Sequence, residues 1–291
     1  MGTYFVILTC RNSEDNIREA INSLKDQTIR PQYIIVINDG SMDKTANIIK
    51  DIQRLYDSLY LINHPDWGYD IKRVVKNWNE AISFSKTNKL KETEYHLIAT
   101  DDTVYSKDYI EKLMEYVDSD QSIAIVSGNY AAYLPIMPHG AGRLVRNSFL
   151  QESCWKGYYP EKMGYESAIL YEANRCSYKY AVLNDARFKH IRPLGKNHKF
   201  YEFGASMQTL GYHPIFVLGR FFKYLLTGKV TGRLGAFYML YYYLTYKPKH
   251  DGYDSLYNEK IRQYVRRQQI NRLKQMMLFN FKGRNFAIVI L

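Results

Sequence analysis

The chain has 291 residues, 46% hydrophobic and 24% charged, which is enough for one large or two modest folded domains and too apolar for a disordered chain. Its three cysteines, Cys10, Cys154 and Cys176, are too few and too scattered for a disulfide framework or a zinc cluster, so a reducing compartment is expected. The formal charge of +11 divides unevenly: residues 1–186 carry 21 Lys/Arg against 25 Asp/Glu, net −4, and residues 187–291 carry 19 against 4, net +15, so a mildly acidic body has a basic C-terminal part suited to an anionic partner.

The start, MGTYFVILTC, has no basic leader segment and runs straight into a β-rich stretch, so no signal peptide is expected. Tyr4–Thr9 predicts a strand. Ile17, Ala20, Ile21 and Leu24 then mark one face of a helix, with Asn12 or Ser13 placed to cap it. Tyr33–Ile37 predicts a second strand, Asn38-Asp39-Gly40-Ser41 a turn, and Asp43–Leu55 a helix capped by Ser41 or Asp43. A strand over Leu59–Asn63, a helix over Val74–Ser85 and a strand over Tyr95–Thr100 follow. A helix-like stretch then starts near Lys107, and Ile123–Ser127 predicts another strand. This alternation is that of an α/β fold, a mostly parallel central sheet with helices on both faces. Ligands of such sheets lie beyond the carboxyl ends of the strands, which puts Thr9, Asp39, Asp101 and Asp102 along one rim.

Residues 128–165 are rich in Gly, Pro and aromatics and predict loops that shape a substrate site. Glu166–Arg175 predicts a helix and Tyr180–Leu183 a strand. From Pro214 the composition changes. Residues 215–226 (IFVLGRFFKYLL) and 234–246 (LGAFYMLYYYLTY) are apolar and aromatic, with Arg220, Lys223, Lys229, Arg233, Lys247 and Lys249 among or beside them. Both fall short of the roughly 18–20 uninterrupted apolar residues that a spanning helix needs. They fit helices lying in a membrane interface, or else packed on the body or in a homodimer contact. A last helix, about 256–278, is basic on its polar face. The expected division is 1–127, 128–213 and 214–291, the last a basic, aromatic helical region.

The stretch HLIATDDTVYSKDYIEKL (96–113) ends an apolar run in two adjacent carboxylates, Asp101 and Asp102. Two such charges repel each other unless a cation or hydrogen-bond donors offset them. A hard divalent ion, Mg²⁺ or Mn²⁺, sharing its ligands with substrate phosphates, is one answer; capping of the following helix is the other. Asp39, at the end of a neighbouring strand, favours the ion.

VILTCRNSEDNIREAINSLKDQT, YIIVINDGSMDKT and HLIATDDTVYSKDYIEKL, in this order and spacing over about residues 4–127, resemble the family 2 glycosyltransferases, whose fold is called GT-A. The resemblance implies an inverting transferase that uses a nucleotide-sugar, with a UDP-sugar favoured, and makes 1–127 the nucleotide-sugar-binding half and 128–213 the acceptor-binding, catalytic half of one GT-A domain. It makes Thr9, Arg11, Asp39, Arg73 and Asp101 the nucleotide-binding residues. Thr100-Asp101-Asp102 stands where the family has its DxD motif, with Asp102 as ligand to the metal. A looser match over MGYESAILYEANRCSYKYAVLNDARFKH implies Glu166 as the catalytic base, Asp185 as the second choice, and His190 beside the metal or diphosphate. Arg192, Lys196 and His198 form a basic loop that can close on the diphosphate, or a solvated one. Asn79 is as readily structural as functional.

The implied acceptor is a lipid-linked sugar or a polysaccharide, and the implied place is the cytoplasmic face of the cell membrane, held peripherally on anionic lipid. A nucleic-acid-binding protein explains the basic tail but not the acidic rim, which repels a polynucleotide, so no nucleic acid is expected. A nucleotidyltransferase needs a Gly-rich loop after the first strand, and TCRNSEDNI has no glycine.

Overall fold

The computed structural model describes residues 2–130, 137–192, 200–228 and 231–280, with side chains to residue 275. The chain divides into two compact units: Met1–Pro160 with Glu172–Leu194, and Glu161–Tyr171 with Gly195–Leu291.

The first unit holds one mixed sheet of eight strands: β1 (Tyr4–Cys10), β2 (Ile34–Asn38), β3 (Leu59–Asn63), β4 (Tyr95–Thr100), β5 (Thr103–Tyr105), β6 (Ile123–Asn129), β7 (Arg143–Arg146) and β8 (Lys179–His190). Their order across the sheet is β3-β2-β1-β4-β7-β6-β8-β5. The first four run parallel, with Thr9 level with Thr100 and Ile37, so their carboxyl ends form a single rim. Antiparallel β7 joins β4 to β6. Strand β8 lies parallel to β6, and short β5 pairs antiparallel with the end of β8.

The apolar runs of β1 and β2 are buried on both sides, as parallel strands covered by helices must be. Because side chains alternate across a strand, Tyr4, Val6, Leu8 and Cys10 share one core with Ile17, Ile21 and Leu24 of helix α1 (Ile17–Lys25), and with Ile49 and Ile52 of α2 (Thr45–Leu55). On the other side Phe5 stacks on Tyr33, with ring centroids 5.0 Å apart. Helix α3 (Arg73–Thr87) buries Val75, Trp78, Ala81 and Ile82. Helices α4 (Tyr109–Ser119) and α5 (Asn147–Glu152) complete this unit, apart from the end of α6. His96 is fully buried between Asn147 Oδ1 (2.6 Å) and the Tyr159 hydroxyl (2.7 Å), and burial pushes its pKa down to about 4.

Three expectations change. Helix α1 has Asn16 at its N-cap and no side-chain cap, because the Ser13 hydroxyl is used elsewhere. Helix α4 starts at Tyr109, so Asp101 and Asp102 do not cap it. Residues 128–165 are less irregular than their composition implies, since they supply β7 and α5. The Asp43 carboxylate does serve α2, accepting the Thr45 N–H at 3.0 Å.

In the second unit, α7 (Tyr201–Thr209), α8 (Pro214–Thr227), α9 (Gly232–Thr245) and α10 (Glu259–Asn280) are helical, and α6 (Tyr165–Arg175) crosses the division between the units. Helices α8 and α9 pack together through Phe221 and Phe237, with centroids 5.2 Å apart. Among the described residues no helix is long and apolar enough to cross a membrane.

Candidate functional site

The carboxyl rim of the parallel strands gathers most of the polar residues singled out above. At the end of β1, Arg11 donates from Nη1 to the carbonyl oxygens of Asp39 and Gly40, and from Nη2 to Asp66 Oδ1 at 2.6 Å. The Asp39 N–H donates to the Cys10 carbonyl (2.9 Å), which fixes the turn after β2 to the end of β1. The Asp39 carboxylate accepts a two-point contact from Arg73, Nε to Oδ1 at 2.8 Å and Nη2 to Oδ2 at 3.0 Å. That fork geometry makes a strong, oriented ion pair, and the hydrogen bond to Asp39 holds the Arg73 pKa above its ordinary value. His64, one residue past β3, brings Nδ1 to 3.8 Å from Asp39 Oδ1 and Nε2 to 2.9 Å from Glu80.

The two adjacent carboxylates are separated by what they face. Asp101 Oδ2 accepts the Arg11 N–H at 3.2 Å and the Ser13 hydroxyl. Burial raises its pKa, against the pull of those two donors and of the Arg192 charge. Asp102 turns to the other side, where Oδ1 receives Thr100 Oγ1 at 2.8 Å, Thr103 Oγ1 at 3.4 Å and His190 Nδ1 at 3.5 Å. Burial works to raise its pKa, but His190 and Thr100 outweigh it and hold the carboxyl below its ordinary value. The charge clash within the Asp-Asp pair is thus relieved by two separate sets of donors.

Strand pairing explains how His190 arrives. Thr103 of β5 is opposite His190 of β8, and the Ile191 N–H donates to the Asp102 carbonyl at 2.7 Å. The imidazole is 7% exposed and is walled by Tyr130, His139 and Phe188. Its Nε2 is buried without a partner among the described residues. A buried nitrogen with nothing to bond is costly unless a ligand completes it. Asp102 brings a carboxylate oxygen of the kind that a hard divalent ion takes, and His190 an imidazole nitrogen; two such donors fall short of a closed structural site. No group of three His, Cys, Asp or Glu among the described residues is arranged to hold a metal by itself.

The other candidates separate clearly. Thr9 sits level with Thr100 on the same rim. Arg192 donates to the Asn12 carbonyl at 3.0 Å; Lys196 and His198 lie outside the described residues, as does Lys229. Asn79 is structural, its amide bonding both the N–H and the carbonyl of Tyr159. Asp185 is exposed on β8, where its carbonyl accepts Lys112 Nζ at 3.0 Å. It lies five positions before His190, roughly 16 Å along an extended strand. Glu166 is exposed in the first turn of α6 and belongs to the second unit, where its charge is one of the influences, after burial and Glu202, that raise the Tyr253 pKa. Sequence reasoning passed over His64, Asp66 and Thr103, and gave Ser13 only a capping role. The signal for His64 was its position just past the end of a parallel strand.

Comparison with known proteins follows the same geography. The family described as Glycosyl transferase family 2 matches residues 5–186. An uncharacterized glycosyltransferase of Mycoplasma genitalium, MG025, is 26% identical over 122 residues, covering 41% of this chain and 38% of its own length. This chain therefore spans well under two thirds of that relative. Among solved structures, the mannosyltransferase PcManGT from Pyrobaculum calidifontis, in complex with GDP-Man and Mn²⁺, superposes with a TM-score of 0.55 at 15% identity, over 84% of this chain and 70% of that one. TarS residues 1–349 from Staphylococcus aureus, in complex with UDP-GlcNAc, gives 0.52 at 18% identity, over 83% and 71%. At these identities the likeness is one of fold.

Proposed function

Because this chain belongs to glycosyl transferase family 2 and is a glycosyltransferase, we propose that it moves a sugar from a UDP-sugar to the hydroxyl of a lipid-linked or polysaccharide acceptor, with inversion at the anomeric carbon. The observation that carries the reading is the convergence of Arg11, Asp39, Arg73, Asp101, Asp102 and His190 on one strand rim. In this reading Arg11, Thr9, Asp39, Arg73 and Asp101 bind the nucleoside, and Asp102 and His190 are the residues that hold a Mg²⁺ or Mn²⁺ ion. Bound there, such an ion offsets negative charge on the diphosphate.

The chain's own part in the reaction is positioning and proton transfer. Glu166 takes the proton of the acceptor hydroxyl as its oxygen bonds to the anomeric carbon, and the bond from that carbon to the diphosphate oxygen breaks, its electron pair leaving with the nucleoside diphosphate. Thr100 and Thr103 keep the Asp102 carboxylate oriented, and Arg192 adds positive charge near the departing phosphate. The test of donor binding is thermal denaturation with UDP, GDP and their sugars, with and without Mn²⁺. The melting temperature rises with UDP in a Mn²⁺-dependent manner, by ligand binding to the folded state alone. A chain whose melting responds to none of the nucleotides is not a nucleotide-sugar transferase.

The acceptor side of the proposal rests on α8 and α9. Leu218, Phe222 and Leu226 of α8, and Phe237, Tyr241 and Leu244 of α9, are 44–77% exposed, at helical spacing along the two helices. Residues 203–250 contain six Lys/Arg and no Asp or Glu. An apolar face collared only by cations suits the interface of an anionic lipid leaflet, where each cation adds about 1 kcal/mol, and it disfavours a second copy of itself, which brings like charge to like. Each helix has 14 residues, about 21 Å, enough to lie in the interface and too short to cross it. The full chain floats with vesicles containing phosphatidylglycerol and much less with pure phosphatidylcholine. Replacing Phe222, Leu226 and Phe237 together by Ser abolishes flotation. Flotation unchanged by those substitutions removes α8 and α9 from the membrane contact.

A further inference from the structure

The loop after β3, HPDWGYD over residues 64–70, looks in the sequence like a plain connection. In the fold it is clamped at both ends against the rim. Arg11 Nη2 donates to Asp66 Oδ1 at 2.6 Å, and the same oxygen accepts the Gly68 N–H at 2.9 Å. Arg73, while bound to Asp39, also donates to the Gly68 carbonyl. The Lys72 N–H donates to Asp70 Oδ1 at 3.0 Å. Gly40 shows how closely the loop is pressed to the Asp39 turn. A Cβ on Gly40 would lie 2.5 Å from the Pro65 carbonyl oxygen and 2.7 Å from Asp66 Cα, and its φ of +69° disfavours any side chain there.

Held in this way, the loop presents the ring of Trp67 59% exposed, with one side 5.1 Å from the His64 ring, centroid to centroid. A large indole left open on a rigid loop, next to Asp39 and between two arginines, is the kind of exposed apolar surface that marks a binding site. The polar groups around it are already matched: Arg11 with Asp66, and Arg73 with Asp39. His64 Nδ1 is buried 3.8 Å from Asp39 Oδ1, with no hydrogen bond among the described residues. What the surroundings leave open to a ligand is therefore the flat face of an indole, and a nucleobase is the part of a nucleotide-sugar with a π-face to stack on it.

We infer that the 64–70 loop is the nucleobase platform of the donor site, with Trp67 as the surface on which the base stacks. The inference rests on the nucleotide-sugar reading above and adds to it a residue that the sequence did not single out. Strand order supports it. Strand β3 stands three places from β4, roughly 14 Å at ordinary strand spacing, so a base over the β3 loop leaves an extended diphosphate reaching toward Asp102 and His190. The transferred sugar, bonded to that diphosphate, lies at the far end. That places a sugar ring away from Trp67 and favours the base as its partner.

The test is isothermal titration of the full chain and of Trp67→Ala and Trp67→Phe with UDP, GDP and inorganic pyrophosphate, with circular-dichroism melts to verify folding. Trp67→Ala weakens UDP by about 10- to 100-fold, the range for loss of one base-stacking aromatic, while Trp67→Phe keeps most of the affinity and pyrophosphate binding is unchanged. UDP also quenches the fluorescence of wild-type protein, and this quench is lost in Trp67→Phe, because Trp78 is 2% exposed and Trp155 is half-buried. UDP binding to Trp67→Ala at wild-type strength overturns the platform and leaves the transferase reading intact, and a raised acceptor KM in that variant would reassign the ring to a carbohydrate. Equal loss of UDP and pyrophosphate makes Trp67 merely structural and also overturns it. If wild-type protein binds no nucleoside diphosphate at all, the reading beneath it fails first.

Discussion

Glu166→Gln lowers the rate of sugar transfer by about 10²–10⁴-fold, the usual contribution of a positioned general base, and leaves the affinity for UDP within about twofold of wild type. The substitution keeps the shape of the side chain and removes its capacity to take a proton. Because Glu166 is exposed in the first turn of α6, the change does not leave a buried charge unpaired, so the melting temperature stays near that of wild type. The loss should appear in kcat rather than in the donor KM, since proton removal belongs to the chemical step and not to donor binding. Asp185→Asn is the matched control. Asp185 is exposed on β8 beside Lys112 of α4, and its loss leaves turnover close to wild type. If the two variants exchange these behaviours, Asp185 is the base; if both remain fully active, neither is.

Asp102→Asn is expected to cost about 10²–10³ in kcat, the scale seen when one electrostatic stabiliser of the developing charge is removed, and to abolish the Mn²⁺-dependent part of the UDP-induced rise in melting temperature. The asparagine oxygen can still accept from Thr100 and Thr103, so the local hydrogen bonds that orient position 102 survive. What disappears is the negative charge, and with it the attraction for a divalent ion and the pairing with His190. Two readings of Asp102 therefore separate. If its part is only to fold the β4–β5 connection, Asn substitutes well and the Mn²⁺ response stays. If it holds an ion, UDP still binds but Mn²⁺ no longer adds to it. Retention of the full Mn²⁺ response by Asp102→Asn would remove this residue from the metal site.

How legible the fold was depended on how local its determinants are. β1 through β4 and their helices were read almost to the residue because apolar period and turn residues lie within each segment. Leu59–Asn63 and Tyr95–Thr100 match as predicted. β5 and β7 were not read: three and four residues long, they carry no period, and each is a strand only because a distant partner lies beside it. β8 was read as four residues and is 12, since its second half is partly exposed and polar and is held by β5.

The site shows the same pattern. The carboxylates at strand ends were legible from the rim rule, whereas their hydrogen-bond partners were not. Ser13 has the sequence of a helix cap and instead serves Asp101, 88 positions away. His64 and Trp67 sit in a loop with no periodic signal, and they are tied to Asp39 only by tertiary contacts: the packing of that loop on Gly40, the approach of His64 to Asp39, and the two arginines that reach both.

The pairing of β5 with β8 has a consequence for how the protein comes into being. All residues of the four parallel strands exist once residue 100 has been made: β2 and β3 each reach their neighbour through a single crossover, and β4 returns to β1, Tyr95 beside Tyr4. Thr103–Tyr105 must wait for Phe188–His190, on the order of ten seconds of translation at ~5–20 residues per second. Throughout that interval the nascent chain carries a bare strand edge and an acidic pair still lacking its imidazole. The parallel strands can thus pair well ahead of the strand that brings His190 to Asp102, and a synthesis pause or truncation inside that window leaves a polypeptide that holds its first four strands but lacks that imidazole.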